Sequence, residues 1–330
     1  MSNRLFVATA NGFWSAERVG DGWQAQTHTL RGQHVTSVAA REGGLLAGTT
    51  NGIFRSHDGG DNWLEASAAL AIRHVRWLAF HPEISERVFA GTEPAGIFVS
   101  HDGGTRWREC AEVGQLRDAH DWYLPYSPEA GCVRGFTFHG SRAYAAVEVG
   151  GVLCSDDNGT QWRLVEGSSG NPWFTSRPAD IDPDVHSIMV HPSSPDVLFA
   201  PTGGGFYGST DGGKTWRSLY PHCYCRAVWL DSADVNHLIL GPATSVDRRG
   251  RIEESYDGGH SWQRAMLGIN GTWPDHMVER FVQVGDDLLA VLSNGELLSA
   301  PLSTLTWQHI LPNVSNVKAV GAMPGAFMQM

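Results

Sequence analysis

Apolar and polar residues along this chain alternate in short runs with a period of two, and turn residues punctuate them at close intervals. Period-two alternation over short runs bounded by Gly, Pro, Asn and Asp predicts β-strands rather than helices. One stretch shows the unit. HSIMVHP from His186 predicts an inner strand, DVLFAPT from Asp196 a second and GGFYGS from Gly204 a third; after a tight turn, KTWRSL from Lys214 predicts a fourth, outer strand. Equivalent inner strands are expected to begin near His34, His74, Cys132, Cys225, His276 and Asn316.

The turn before each outer strand carries a recurring motif. It reads SHDGGDNW at Ser56–Trp63, SHDGGTRW at Ser100–Trp107, SDDNGTQW at Ser155–Trp162, STDGGKTW at Ser209–Trp216 and SYDGGHSW at Ser255–Trp262. All five obey Ser-x-Asp-x-Gly-x-x-Trp, and longer degenerate copies end in Trp23 and Trp307. The seven tryptophans are spaced 40, 44, 55, 54, 46 and 45 residues apart, and the residues after Trp307 joined to those up to Trp23 make one more period. A period in the forties with four strands per unit predicts a β-propeller, here all-β and seven-bladed, spanning 1–330 as one domain. NVKAVGAM from Asn316 has no partners after it. RLFVATA, FWSAE and GWQAQTH near the N-terminus are expected to complete the last blade around it, leaving no free sheet edge.

The motif looks catalytic, but repetition argues for a structural device. Its glycines allow a positive-φ turn, its Asp and Ser hydrogen-bond the turn backbone, and its Trp packs between sheets. These repeats resemble the BNR/Asp-box superfamily, which includes sialidases, xyloglucan-active glycosidases, sortilin-type receptors and a photosystem II assembly factor. The resemblance covers essentially the whole chain and implies the propeller fold. It does not imply sialidase activity, because the Arg-Ile-Pro motif of sialidases does not occur here.

Composition narrows the function. Hydrophobic residues make up 42%, with 39 Gly and 13 Trp, which suits a continuous β core. A formal net charge of −11 argues against a nucleic-acid partner. No long apolar run predicts a membrane span and no leader pattern opens the chain, so a cytoplasmic location is expected. The five cysteines, an odd number, fit reduced thiols.

In a propeller, alternate inner-strand residues face the central channel. Aligning the strands on their apolar positions gives one facing column of Thr36, Arg76, Arg134, His186, Arg226, Glu279 and Lys318. Two residues earlier, nearer one mouth, lie His34, His74, Cys132, Asp184, Tyr224, Met277 and Asn316. Charge at this density needs a ligand, an ion or a counter-charge. Two chemistries fit. Arg76, Arg134 and Arg226 could clamp a carboxylate or phosphate, with His186, Glu279 or Asp184 as general acid or base. Alternatively His34, His74, His186 and His276 could converge on one divalent transition metal (Fe, Zn, Cu or Mn), although His276 stands one residue off the column. No nucleotide cofactor is expected.

Long connections at roughly 109–131, 166–184 and 264–275 open on the same face and bring Trp122, Tyr123, Trp173 and Trp273. With Lys318 and Tyr224, these aromatics are expected to hold a substrate. The reading is therefore an enzyme for a small anionic, aromatic or sugar-like substrate, working by acid–base and metal-assisted chemistry. The opposing reading is a non-catalytic propeller that binds a protein partner.

Overall fold

The computed structural model describes residues 4–20, 22–122, 131–171, 180–269 and 271–323. Among the described residues, twenty-eight strands form seven four-stranded antiparallel sheets. The inner strands of the first to seventh blades are Val35–Arg41, Val75–Phe80, Val133–His139, Met189–Val190, Tyr224–Leu230, Val278–Val284 and Val317–Ala322. Six sheets follow chain order from inner to outer strand. The seventh places Val317–Ala322 beside Arg4–Thr9, then Gly12–Val19 and Gly22–Thr29, as the repeat arithmetic predicts. Pairing runs from Leu5 opposite Ala322 to Thr9 opposite Val317, so opposite ends of the chain close the ring.

Blades pack through large residues entering gaps left by small ones. A Cβ on Gly48 would lie 2.7 Å from the Val75 side chain of the next blade, and on Gly91 or Gly241 it would lie 2.6 Å from Val133 or Val278. Those three valines are fully buried, which stabilises the ring by about 1.5–3 kcal/mol apiece.

The repeated motif is a hydrogen-bonded turn in every blade where it is complete. In the first, the Ser56 hydroxyl donates to Asp58 Oδ1 at 2.7 Å and accepts the Gly60 N–H at 2.9 Å. Asp58 in turn accepts the Asn62 N–H at 3.0 Å. Three Trp indoles reach the preceding blade, Trp63 Nε1 donating to Thr29 Oγ1, Trp107 Nε1 to the Ala66 carbonyl and Trp307 Nε1 to that of Ala265, whereas Trp162 and Trp262 Nε1 donate to the carbonyls of Gly159 and Gly259 in their own turns. These groups are occupied in holding the turn and the seam between blades.

The fourth blade departs from expectation. The predicted strand from His186 is reduced to Met189–Val190, with a bridge from Val185 to Thr202 before it. The Val190 N–H is held by Thr137 Oγ1 of the third blade. The outer strand begins at Arg217 rather than Lys214, because Lys214 belongs to the motif's turn. One helix, Ala111–Ala119, lies in the first long connection. No helix among the described residues is long and apolar enough to cross a membrane.

Candidate functional site at the channel mouth

Every member of the predicted column coincides with an irregularity of the inner-strand ladder. Val35 pairs with Thr49 and Ser37 with Gly48, so Thr36 is the extra residue of a β-bulge. The register slips in the same way at Arg76, Arg134, Glu279 and Lys318, and across Arg226–Ala227. In the fourth blade it slips between Val185 and Met189, the segment that holds His186. A bulged residue leaves the ladder and its side chain is re-aimed. Here the bulge turns charged groups into the channel while the preceding residue (Val35, Val75, Val133, Val185, Cys225, Val278 or Val317) stays buried between blades.

These charges form a network across the channel. Arg134 pairs with Glu148 at 3.2 Å and with Glu279 at 3.4 Å. Arg226 pairs closely with Glu279, its side chain also lying 3.8 Å from Asp247. Arg76 pairs with Glu93 at 3.3 Å. All three arginines of the expected anion clamp thus have carboxylate partners, and the clamp as predicted is already neutralised. Burial resists the ionisation of Glu148, but Arg134, His186 and the Cys132 thiol outweigh it and bring its carboxyl down to about 2. Burial likewise opposes Glu279, and Arg226, Arg134 and Arg280 overcome it to hold that carboxyl below the usual range.

Arg280 is different. From the sixth blade it crosses to the first and second, donating to the Thr36 carbonyl at 3.4 Å and lying 4.1 Å over the Trp77 ring. No carboxylate lies within ion-pair distance of it among the described residues. Burial, and then the charges of Arg134 and Arg76 against the weaker pull of Glu279, push it down to about 9, so it remains a cation at neutral pH. The crossing of Arg280 and the Arg134–Glu279 pair floor the channel mouth.

In the same column as that pair, His186, its side chain fully buried, is the most constrained group. Its Nδ1 lies 2.6 Å from the Cys225 carbonyl, which can only accept, so Nδ1 carries a hydrogen and in the neutral ring Nε2 carries the lone pair. Nε2 faces Asp184 Oδ1 at 3.2 Å and the Tyr224 hydroxyl at 3.2 Å. Arg226 Nη2 lies 3.4 Å from that hydroxyl.

The predicted histidine quartet is not assembled. His34 and His74 are near enough that His74, after burial and Lys318 and together with Arg76, lowers the pKa of His34. His276 instead bonds Asp275 at 3.1 Å and stacks on Trp273 at 5.3 Å, because it precedes the strand and points away from the column. Among the described residues, the one set of three metal-capable side chains whose ligand atoms lie within 4.8 Å of one another is Glu148, Asp184 and His186.

The aromatic wall also needs correction. Trp122 is fully buried, with its Nε1 2.5 Å from the Gly170 carbonyl, and Trp273 belongs to the core between the fifth and sixth blades. Both indoles are occupied in packing their loops. Tyr123 and Trp173 lie outside the described residues. Tyr224 does stand at the site, its ring 4.8 Å from that of His186.

Glu93, Glu148 and Arg280 were missed. The inner-strand columns do not contain them, because Glu93 and Glu148 follow second strands and Arg280 stands one residue after the bulged Glu279. A periodic signal existed. The N–H groups of Ala10, Thr50, Glu93, Glu148, Gly203 and Ser293 donate to the carbonyls of Asn316, His34, His74, Cys132, Asp184 and Met277. This is a third ring of equivalent positions, and two of its members are Glu.

No curated protein matches the chain. Among solved structures, an ancestral GH74 enzyme is 17% identical with a TM-score of 0.60, over 88% of this chain but 38% of that one. The present chain thus spans well under half of that enzyme. YCF48 bound to D1 peptide is 14% identical with a TM-score of 0.60, over 88% of this chain and 85% of that one. YCF48 from Cyanidioschyzon merolae is 14% identical with a TM-score of 0.59, over 92% and 97%. At such identities the likeness is one of fold, and it spans enzymes and a peptide-binding protein alike. Together with the seven closed blades, the match of the DUF6242 beta propeller domain to residues 2–219, more than half of the sequence, establishes that the chain belongs to that propeller family.

Proposed function

We propose that this propeller is an enzyme that binds a small anionic substrate at the floored channel mouth and handles a proton there through His186, Asp184 and Tyr224. The observation that carries the reading is Arg280, a guanidinium held across the channel with no carboxylate of the described residues within ion-pair distance. Burying an unpaired cation is costly, and a bound anion is the simplest compensation. Blade order supports a polarised mouth. Lys318 and His34 come from the seventh and first blades and His74 and Arg76, faced by Glu93, from the second, whereas Glu148 and Asp184 come from the third and fourth. An anion held at the cationic side lies opposite the His186 lone pair, where a positioned base or its Tyr224 hydroxyl can exchange a proton.

The test is calorimetric titration of the protein with sulfate, inorganic phosphate and succinate. Saturable binding of one anion per chain, lost in Arg280→Met, is the expected result; equal binding by the variant or none by the wild type overturns it. A second reading, a non-catalytic scaffold that docks a peptide, is favoured by the internal neutralisation of Arg76, Arg134 and Arg226 and by the peptide-bound YCF48 structure. It gains if no small anion binds.

A further inference from the structure

We propose that Glu148, Asp184 and His186 form a binding site for one divalent transition-metal ion, opposite the cationic side of the mouth. In the neutral ring, the tautomer fixed by the Cys225 carbonyl leaves His186 Nε2 with a lone pair. That lone pair faces Asp184 Oδ1 at 3.2 Å, and Oδ1 is itself buried without a hydrogen-bond donor among the described residues. The Tyr224 hydroxyl, 3.2 Å from Nε2, can donate to the ring nitrogen, but the contact between the nitrogen and Oδ1 is relieved only by a proton or a metal cation between them. Glu148 adds the third donor, within 4.8 Å of the other two. Its described bonds, from Cys132 Sγ at 3.0 Å and Arg134 at 3.2 Å, both go to Oε2, leaving Oε1 for an ion.

The surroundings are built for these donors. A Cβ at Gly203 would lie 2.2 Å from Asp184 Oδ2, so the absence of a side chain there makes room for the carboxylate. His186 is gripped from behind by the carbonyl, the usual way a ligand imidazole is oriented. One imidazole with two carboxylates suits Mn, Fe or Zn and leaves coordination positions open to solvent or substrate.

This site deepens the anion-binding reading without depending on it. A metal here would face the anion as a Lewis acid. His186 would then be a ligand rather than a base, and proton handling would pass to the Tyr224 hydroxyl and ion-bound water.

The experiment uses the full chain, stripped with EDTA and titrated with Mn²⁺, Zn²⁺ and Co²⁺ by calorimetry, with the visible spectrum of Co²⁺ as a second readout. The expectation is one ion per chain and a Co²⁺ ligand-field band. Affinity should fall at least hundredfold in His186→Gln and at least tenfold in Asp184→Asn, a variant of a half-buried turn residue that keeps its shape. Near-ultraviolet circular dichroism checks that each variant is folded. Absence of saturable binding in the wild type overturns the proposal, as does unchanged affinity in folded Asp184→Asn. Sulfate titration of the stripped protein separates the two proposals, since Arg280-dependent anion binding would persist if the metal site failed.

Discussion

Replacing Arg280 by Met should make this protein more stable. In the folded protein the guanidinium is pushed down from its ordinary value to about 9, chiefly by burial and by the like charge of Arg134. At about 1.4 kcal/mol per tenfold change in acidity, the charged form is disfavoured by about 5 kcal/mol relative to water. The group keeps some contact with channel water, and screening cuts this to roughly 2–3 kcal/mol. Its compensations are a long hydrogen bond to the Thr36 carbonyl and the face of Trp77, together about 1 kcal/mol. Met preserves apolar contact with the indole, so Arg280→Met should gain about 1–2 kcal/mol. A raised urea midpoint with an unchanged slope, followed by tryptophan fluorescence at pH 7 without added anions, would show it. The sign has a pH signature. The folded pKa is depressed, so the penalty is complete at neutral pH and is relieved only as pH rises through about 9. The advantage of the variant should therefore narrow in alkaline buffer. A variant less stable than the wild type at pH 7 would refute the claim that this charge is held at a cost.

Four other outcomes follow from the same structure. Ser155→Ala removes a hydroxyl that donates to Asp157 and accepts the Gly159 N–H, and should lower stability by about 1–3 kcal/mol in urea unfolding while leaving sulfate affinity unchanged. Gly91→Ala puts a methyl 2.6 Å from Val133 and should cost about 1–3 kcal/mol by the same measurement, because the third blade must shift to admit it. Glu279→Gln strips Arg134 and Arg226 of a shared carboxylate; it should destabilise the fold by about 3–5 kcal/mol yet tighten sulfate binding, and weakened binding would count against a cationic ligand side. Burial, Lys318, His74 and Arg76 hold His34 below 6.5, and a bound anion would raise it. Sulfate, whose own charge is constant, should then bind more tightly as pH falls below 6.5, with proton uptake measurable by calorimetry in two buffers.

The blades were legible because their defining turn is local. Ser56, Asp58, Gly60 and Trp63 make their turn contacts within seven residues of one another, so fixed spacing reports fixed geometry. Closure by the two chain ends was legible from the arithmetic of tryptophans. The column was found by period alone, but its bulges were not foreseen, since a one-residue slip leaves no compositional trace. The irregular start of the fourth blade was hidden for the same reason. Partners were hardest to see. Arg134 and Glu279 are 145 residues apart, and Arg280 meets Thr36 across 244, so nothing short-range in the chain connects them. The histidine quartet failed because shared residue type at blade starts was taken for convergence, while His276 lies outside the bulge that turns its neighbours inward.

The bulges carry one more consequence. In a regular strand, changing an inward side chain also tests the ladder and the seam with the next blade. Here the seam is set by the buried residue before each bulge, and the bulged residue itself lies outside the pairing. The channel is therefore ringed by sockets whose occupants lie outside the strand pairing, so that the cost of exchanging one is set by its partners in the channel and not by the ladder. Thr, Arg, His, Glu and Lys already occupy equivalent sockets in one molecule. A propeller of this kind can acquire or lose a binding specificity through single substitutions, while its closure stays intact.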